Sequence, residues 1–283
     1  MLRTILVPMA DELPGELLLQ AALSTAKHLE ADIQAKLVQP DLATVLATTP
    51  GVMLAAGVTP EEIQKENARA AAASQAMFEQ WRQRNKIPLP GRDCSERTHA
   101  GWSMHIGDLE EAITRFGRIS DFLVVNRPTS TSMQSQRCFD AAVFGTGRPT
   151  LVISDPPSPD MVEHIIIAWN GSLEASRALA GAMPLLQQAQ RITILTALEY
   201  DSDEVDLVDL ADSLARHGLR TPEVAFPLRG HSAGAELLAA AQKQGATLIV
   251  MGAYTHSRLR QAFLGGVTRH LLAQSPIPLL MSH

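Results

Sequence analysis

The residues with the clearest chemical potential lie near the end of the sequence. There the apolar run Thr247-Leu248-Ile249-Val250-Met251 empties into Gly252-Ala253-Tyr254-Thr255, and a glycine pair, Gly265-Gly266, follows. Glycines after a strand let backbone N–H groups approach an anion with no Cβ in the way, and Leu271-Leu272 beyond them predict a helix whose N-terminus favours phosphate. Phosphate recognition is therefore the chemistry expected here. The spacing fits neither the dinucleotide fingerprint G-x-G-x-x-G nor the P-loop, since no Gly-Lys-Ser/Thr follows the turn.

A second pattern, Gly230-His231-Ser232-Ala233-Gly234, matches the nucleophile elbow G-x-S-x-G and makes a serine hydrolase an alternative to be weighed. Such an enzyme needs an acid and then a histidine later in the chain. After Ser232 the only carboxylate side chain is Glu236, one helical turn along, and no His-Gly-Gly oxyanion loop is present. The expectation is that Ser232 caps the helix carrying Leu237 and Leu238. No catalytic residue is assigned. The histidines form no H-E-x-x-H pair and lie beside no Cys-x-x-Cys, so no metal site is expected, and Cys94 and Cys138 are read as inert thiols.

The elements that must position these residues are written twice. Thr4-Ile5-Leu6-Val7-Pro8-Met9 followed by the helix-like Glu16–Ala22 returns as His164-Ile165-Ile166-Ile167-Ala168-Trp169 followed by Glu174–Leu179. Gly107–Ile113 and the run Asp121–Val125 likewise match Gly230–Leu238 and Thr247–Val250. Asp108 with Glu111 predicts a capping box, and the apolar runs predict buried parallel strands. Alternating strands and helices imply an α/β fold of two tandem doubly wound parallel-sheet domains, covering 1–155 and 161–283. The linker falls at Asp155-Pro156-Pro157-Ser158-Pro159-Asp160, where prolines block helix and central strand alike. In the first copy Thr59-Pro60-Glu61-Glu62 opens a long helix through about Arg84, preceded by an apolar stretch, Thr44 to Val58, read as packing on the core or covering a ligand. The second copy has only a shorter helix, Val205 to Arg216.

The segment from Val250 through Thr268 and on to Pro276-Ile277-Pro278-Leu279-Leu280 resembles the closing segment of universal stress proteins. That family's nucleotide pattern is G-x2-G-x9-G-[ST]; Gly252 and Gly265 match it, while Thr255 and Gly266 depart from it. The resemblance implies Rossmann-like domains of the adenine nucleotide alpha hydrolase type, packed as a pseudo-dimer within one chain, with homodimerisation and an unidentified protein partner as further expectations. It implies a stress-response role in which ATP, with or without Mg, binds in the second domain, as regulatory binding with at most slow hydrolysis. The nucleotide-facing set it implies is Asn170, Ala197, Met251, Gly252, Thr255, Arg258, Gly265, Gly266, Val267 and Thr268. Asn170 stands where nucleotide-binding members carry an acidic residue for the adenine and ribose end. Trp169 beside it is read as packing under a base or filling the core. The first-half counterpart, Asn126-Arg127-Pro128-Thr129-Ser130, has no glycine after the strand, and Pro128 removes an N–H donor, so one site is expected. The alternative is a scaffold that has lost its ligand and serves protein assembly.

Composition fits this reading. The 283 residues suit two domains, and 46% hydrophobic with 19% charged residues argues against disorder. A net charge of -6 gives no drive toward nucleic acid or an anionic membrane. The N-terminus reaches acidic residues too soon for a signal peptide and no apolar run approaches a membrane span, so a cytoplasmic protein is expected.

Overall fold

The computed structural model describes residues 4–10, 13, 15–41, 59–91, 98–154, 160–196, 207–219, 223–224, 232–253 and 266–283. The chain forms two compact units, Met1–Thr146 and Gly147–His283.

The first unit contains β1 (Thr4–Met9), α1 (Gly15–Leu29), β2 (Asp32–Gln39), α2 (Pro60–Arg84), β3 (Ala100–Ile106), α3 (Leu109–Arg118), β4 (Phe122–Asn126) and α4 (Met133–Gly145). Its strands lie in the order β3-β2-β1-β4, with parallel pairing of β1 to both β2 and β4 and of β2 to β3. Continuous apolar runs make the central strands: Ile5, Val7, Phe122, Leu123, Val124 and Val125 are all fully buried. The long helix α2 opens at Thr59, whose side chain accepts from the Glu62 N–H while the Glu62 carboxylate accepts from the Thr59 N–H at 2.9 Å. The sequence predicts a helix start here, and the start takes the form of a reciprocal capping box. Helix α2 buries Ile63, Phe78 and Trp81, the two aromatic rings 5.8 Å apart.

Asp108 forms its own half of the expected capping box at α3, one carboxylate oxygen accepting from the Glu110 and Glu111 N–H groups at 2.9 and 3.0 Å. Its other oxygen accepts from Arg137 of α4 at 2.6 Å, and the same guanidinium reaches Glu110 at 2.6 Å, tying the two helices together.

The second unit contains β5 (Thr150–Ile153), β6 (His164–Ala168), α5 (Leu173–Leu186), β7 (Arg191–Leu195), α6 (Leu207–Arg216), β8 (Glu223–Val224), α7 (Ala233–Lys243), β9 (Leu248–Gly252), α8 (Gly266–Gln274) and β10 (Leu279–Ser282). The strand order is β5-β10-β9-β6-β7-β8. Pairing is parallel from β10 through β8, while β5 and β10 run antiparallel with Leu151 opposite Leu280. The stretch from Thr44 to Val58, read as packing on the core or covering a ligand, lies outside the described residues, as do Asp155 to Pro159 of the proline run. Among the described residues no helix is long and apolar enough to cross a membrane.

Candidate functional site

In the second unit, β6 is followed on one side by β7 and β8, and the chain then returns to place β9 on the opposite side of β6. The strand order therefore reverses between β6 and β9, which pair in register with Ala168 opposite Met251. In an open α/β sheet, this reversal opens a crevice at the carboxyl ends of the strands, where ligands bind. The two segments singled out by sequence, Trp169–Ser172 and the turn beginning at Gly252, both leave the sheet at that crevice.

The turn after β6 is built from its own side chains. Gly171 has φ of +72°, a left-handed conformation that favours glycine. The Asn170 side-chain oxygen accepts from the Ser172 N–H at 3.2 Å and from the Ser172 hydroxyl at 2.7 Å. That hydroxyl in turn accepts from the Ala175 N–H at 3.1 Å and so caps α5. Asn170 is exposed, and its carbonyl oxygen holds the turn together. Trp169 is 8% exposed; its main-chain N–H donates to Leu195 O, and its indole N–H is buried without an acceptor among the described residues.

At the end of β9, Gly252 is held by packing. A Cβ built on it would stand 2.6 Å from the Ala175 nitrogen and 2.8 Å from the Glu174 carbonyl carbon, so the first turn of α5 lies directly against its backbone. The next residue, Ala253, is fully buried. Its N–H donates to Ser282 O at 2.8 Å, and its carbonyl accepts from the His283 imidazole Nδ1 at 2.9 Å. The start of the glycine turn is thereby pinned to the residues around the end of β10. Sequence reading missed His283, because a single polar residue after a strand carries no periodic or motif signal.

Gly266 begins α8 and is exposed, with nothing within 4 Å of a Cβ built on it. Val267 is half-buried, and Thr268 is 5% exposed. Gly234 allows α7 to approach α8, since its Cβ would lie 2.7 Å from His270 Cβ and 3.1 Å from Val267 Cα. The second glycine of the elbow-like pattern is therefore explained by helix packing. Ser232 occupies the N-cap of α7, but its hydroxyl makes no cap hydrogen bond, contrary to expectation; the contact there is main-chain, from Ala235 and Glu236 N–H to Ser232 O. Met251 and Gly252 thus flank the Asn170 turn, with Gly266, Val267 and Thr268 opening α8. Ala197, Thr255, Arg258 and Gly265 lie outside the described residues. No group of three His, Cys, Asp or Glu side chains suited to a metal occurs among the described residues.

The first unit has the same reversal between β1 and β4, but the loop after β4 closes on itself. Thr129 N–H donates to the Ser135 hydroxyl at 2.9 Å, Ser135 N–H to the Ser132 hydroxyl at 3.2 Å, and Ser132 N–H to Thr129 O at 3.4 Å. These donors at the start of α4 serve the loop's own oxygens.

Residues 161–283 match the universal stress protein family. No curated protein matches the sequence at a significant level. Among solved structures, a universal stress protein from Archaeoglobus fulgidus aligns over 98% of this chain and 94% of its own, with TM-score 0.69 and 15% identity. A putative universal stress protein from Pseudomonas aeruginosa aligns over 99% and 92%, with TM-score 0.57 and 13% identity. Both share the fold along the whole chain. Residues 161–283 thus carry the match to the universal stress protein family, and a tandem arrangement of two such units fits structural matches that run the full length of the chain.

Proposed function

We propose that the protein binds ATP or a related nucleotide at the β6/β9 crevice of its second unit, and that binding serves regulation in a stress response. The observation that carries this reading is the convergence of two turns at the strand-order reversal: the Asn170-Gly171-Ser172 turn and the Met251-Gly252 strand end emerge side by side. The opening residues of α8, Gly266, Val267 and Thr268, follow the glycine turn, and a helix N-terminus attracts phosphate. Thr255, Arg258 and Gly265 complete the phosphate side in this reading, and Asn170 and Ala197 the nucleoside side. A ligand bound only by the folded chain stabilises it by mass action, so nucleotide occupancy would raise stability and alter partner affinity without turnover.

Amide spectra of isotope-labelled protein titrated with ATP and Mg test the location. The expected outcome is saturable shifts at Asn170–Ser172, Gly252–Ala253 and Gly266–Thr268, with Thr129–Ser135 unmoved. Shifts confined to the first unit would overturn the assignment.

One observation favours a second reading, a scaffold without nucleotide. Asn170 and Gly252 both have complete structural roles: the oxygen of one closes a turn, and the missing Cβ of the other admits α5. In that reading the motif persists for folding alone, and no shift appears at millimolar ATP.

A further inference from the structure

The sheet edge of the first unit carries a cluster unrelated to the strand-end crevice. Strands β2 and β3 pair with Lys36 opposite Ser103, and the Lys36 ammonium donates to the Ser103 hydroxyl at 2.7 Å. The same ammonium lies 4.2 Å from the centroid of the Phe116 ring, which α3 presents to this face. The Arg115 guanidinium carbon lies 5.6 Å from that centroid, and the His105 ring packs edge-on at 5.2 Å. His105 stands two residues beyond Ser103, so both share one face of β3. Three basic side chains thus gather about one half-buried phenyl ring.

Among the described residues no compensating charge pairs with this cluster. None of the three has an ion-pair partner among the described residues, whereas Arg137 on the neighbouring helix pair engages both Asp108 and Glu110. Burial pushes the Lys36 ammonium below its ordinary value, as expected for a cation removed from water and given only a hydroxyl and a ring face in return. A cation in that setting gains from a bound anion. Phosphate-type oxyanions suit it, with oxygens to accept from an ammonium, a guanidinium and an imidazole.

We propose that Lys36, Arg115 and His105, with Ser103 beside them, form a binding site for a phosphate-class oxyanion on the β2/β3 edge, independent of any nucleotide in the second unit. The test follows the His105 ring C–H signals in the full chain, identified by their absence in His105→Gln. Inorganic phosphate is titrated at fixed pH, with chloride holding ionic strength constant. A saturable shift is expected, with the half-point raised about tenfold or more in Lys36→Met and several-fold in Arg115→Gln, since each removes a charge-assisted hydrogen bond. Arg115 is exposed, so its substitution carries the test if Lys36→Met loses its fold. A parallel titration with glycerol 3-phosphate identifies the source: tighter binding than phosphate assigns an organic phosphate, and equal or weaker binding assigns the free anion. A His105 response that is linear in phosphate, is reproduced by chloride, or is unchanged in the folded Lys36 and Arg115 variants would overturn the proposal.

Discussion

Gly252 matches the family pattern and Gly266 departs from it, and the structure gives the two glycines opposite tolerances. A Cβ at Gly252 meets the backbone of α5 at 2.6 Å, so Gly252→Ala is expected to destabilise the protein by about 1–3 kcal/mol in denaturant titration, whatever the ligand does. A Cβ at Gly266 meets nothing within 4 Å. Gly266→Ser restores the hydroxyl of the family pattern at the first residue of α8. It is expected to leave stability unchanged and to tighten ATP by up to about tenfold in calorimetry, the worth of one hydrogen bond to a charged group. Weaker binding in a folded Gly266→Ser protein would count against α8 as the phosphate contact. Cys138 belongs to this scale as well. It is fully buried, and burial pushes its thiol up to about 12. In a Cys94→Ser background it should resist thiol reagents at about pH 8 and react fully once unfolded, because the thiolate is the reactive species; rapid labelling of native protein would contradict that burial. The glycine turns could be found from spacing alone, but their separate reasons could not. Which atom a missing Cβ makes room for is set by packing against a helix distant in sequence, α5 for Gly252 and α8 for Gly234.

At the level of elements, three helix starts carry residue types suited to capping and behave differently. Asp108 and Ser172 cap through their side chains, whereas Ser232 does not. Ser172→Ala should therefore cost about 1 kcal/mol in chemical denaturation, and Ser232→Ala less than about 0.5 kcal/mol. Equal losses would show that the Ser232 hydroxyl caps α7 in solution. Asp108 adds a pH dependence. Burial alone would raise its carboxyl, but the N–H groups of Glu111 and Glu110 and the Arg137 guanidinium outweigh this and hold it below the usual carboxylate range. A depressed folded pKa contributes stability above the unfolded value, about 3.9, and that contribution is lost as pH falls through the folded value. Asp108→Ala should thus destabilise by about 1–2 kcal/mol at neutral pH, with the gap to the parent narrowing below about pH 4. A gap that stays constant down to pH ~2 would contradict this. The apolar runs of β1, β4, β6 and β9 and the helix start at Thr59 were legible because each is a local pattern of few residues. Hydroxyl geometry at a cap was not, since Ser232 has the right residue type and lacks only the contact.

For the whole molecule, repetition in the sequence carried the most information. Two strand-helix series with matching ends predict two doubly wound arrangements, and each unit has the strand-order reversal that makes a crevice. The antiparallel partner of β5 could not be read from Thr150–Ile153, because a short apolar strand specifies burial and leaves its neighbour open. The two crevices differ through local chemistry: hydroxyls close the loop of the first, while the second carries the glycine turn. Hence the account allows one nucleotide per chain.

Calorimetric titration of nucleotide-stripped protein with ATP and Mg tests that claim most directly. The account predicts saturable binding near one site per chain. Two sites per chain, or no heat at millimolar ATP, would contradict it.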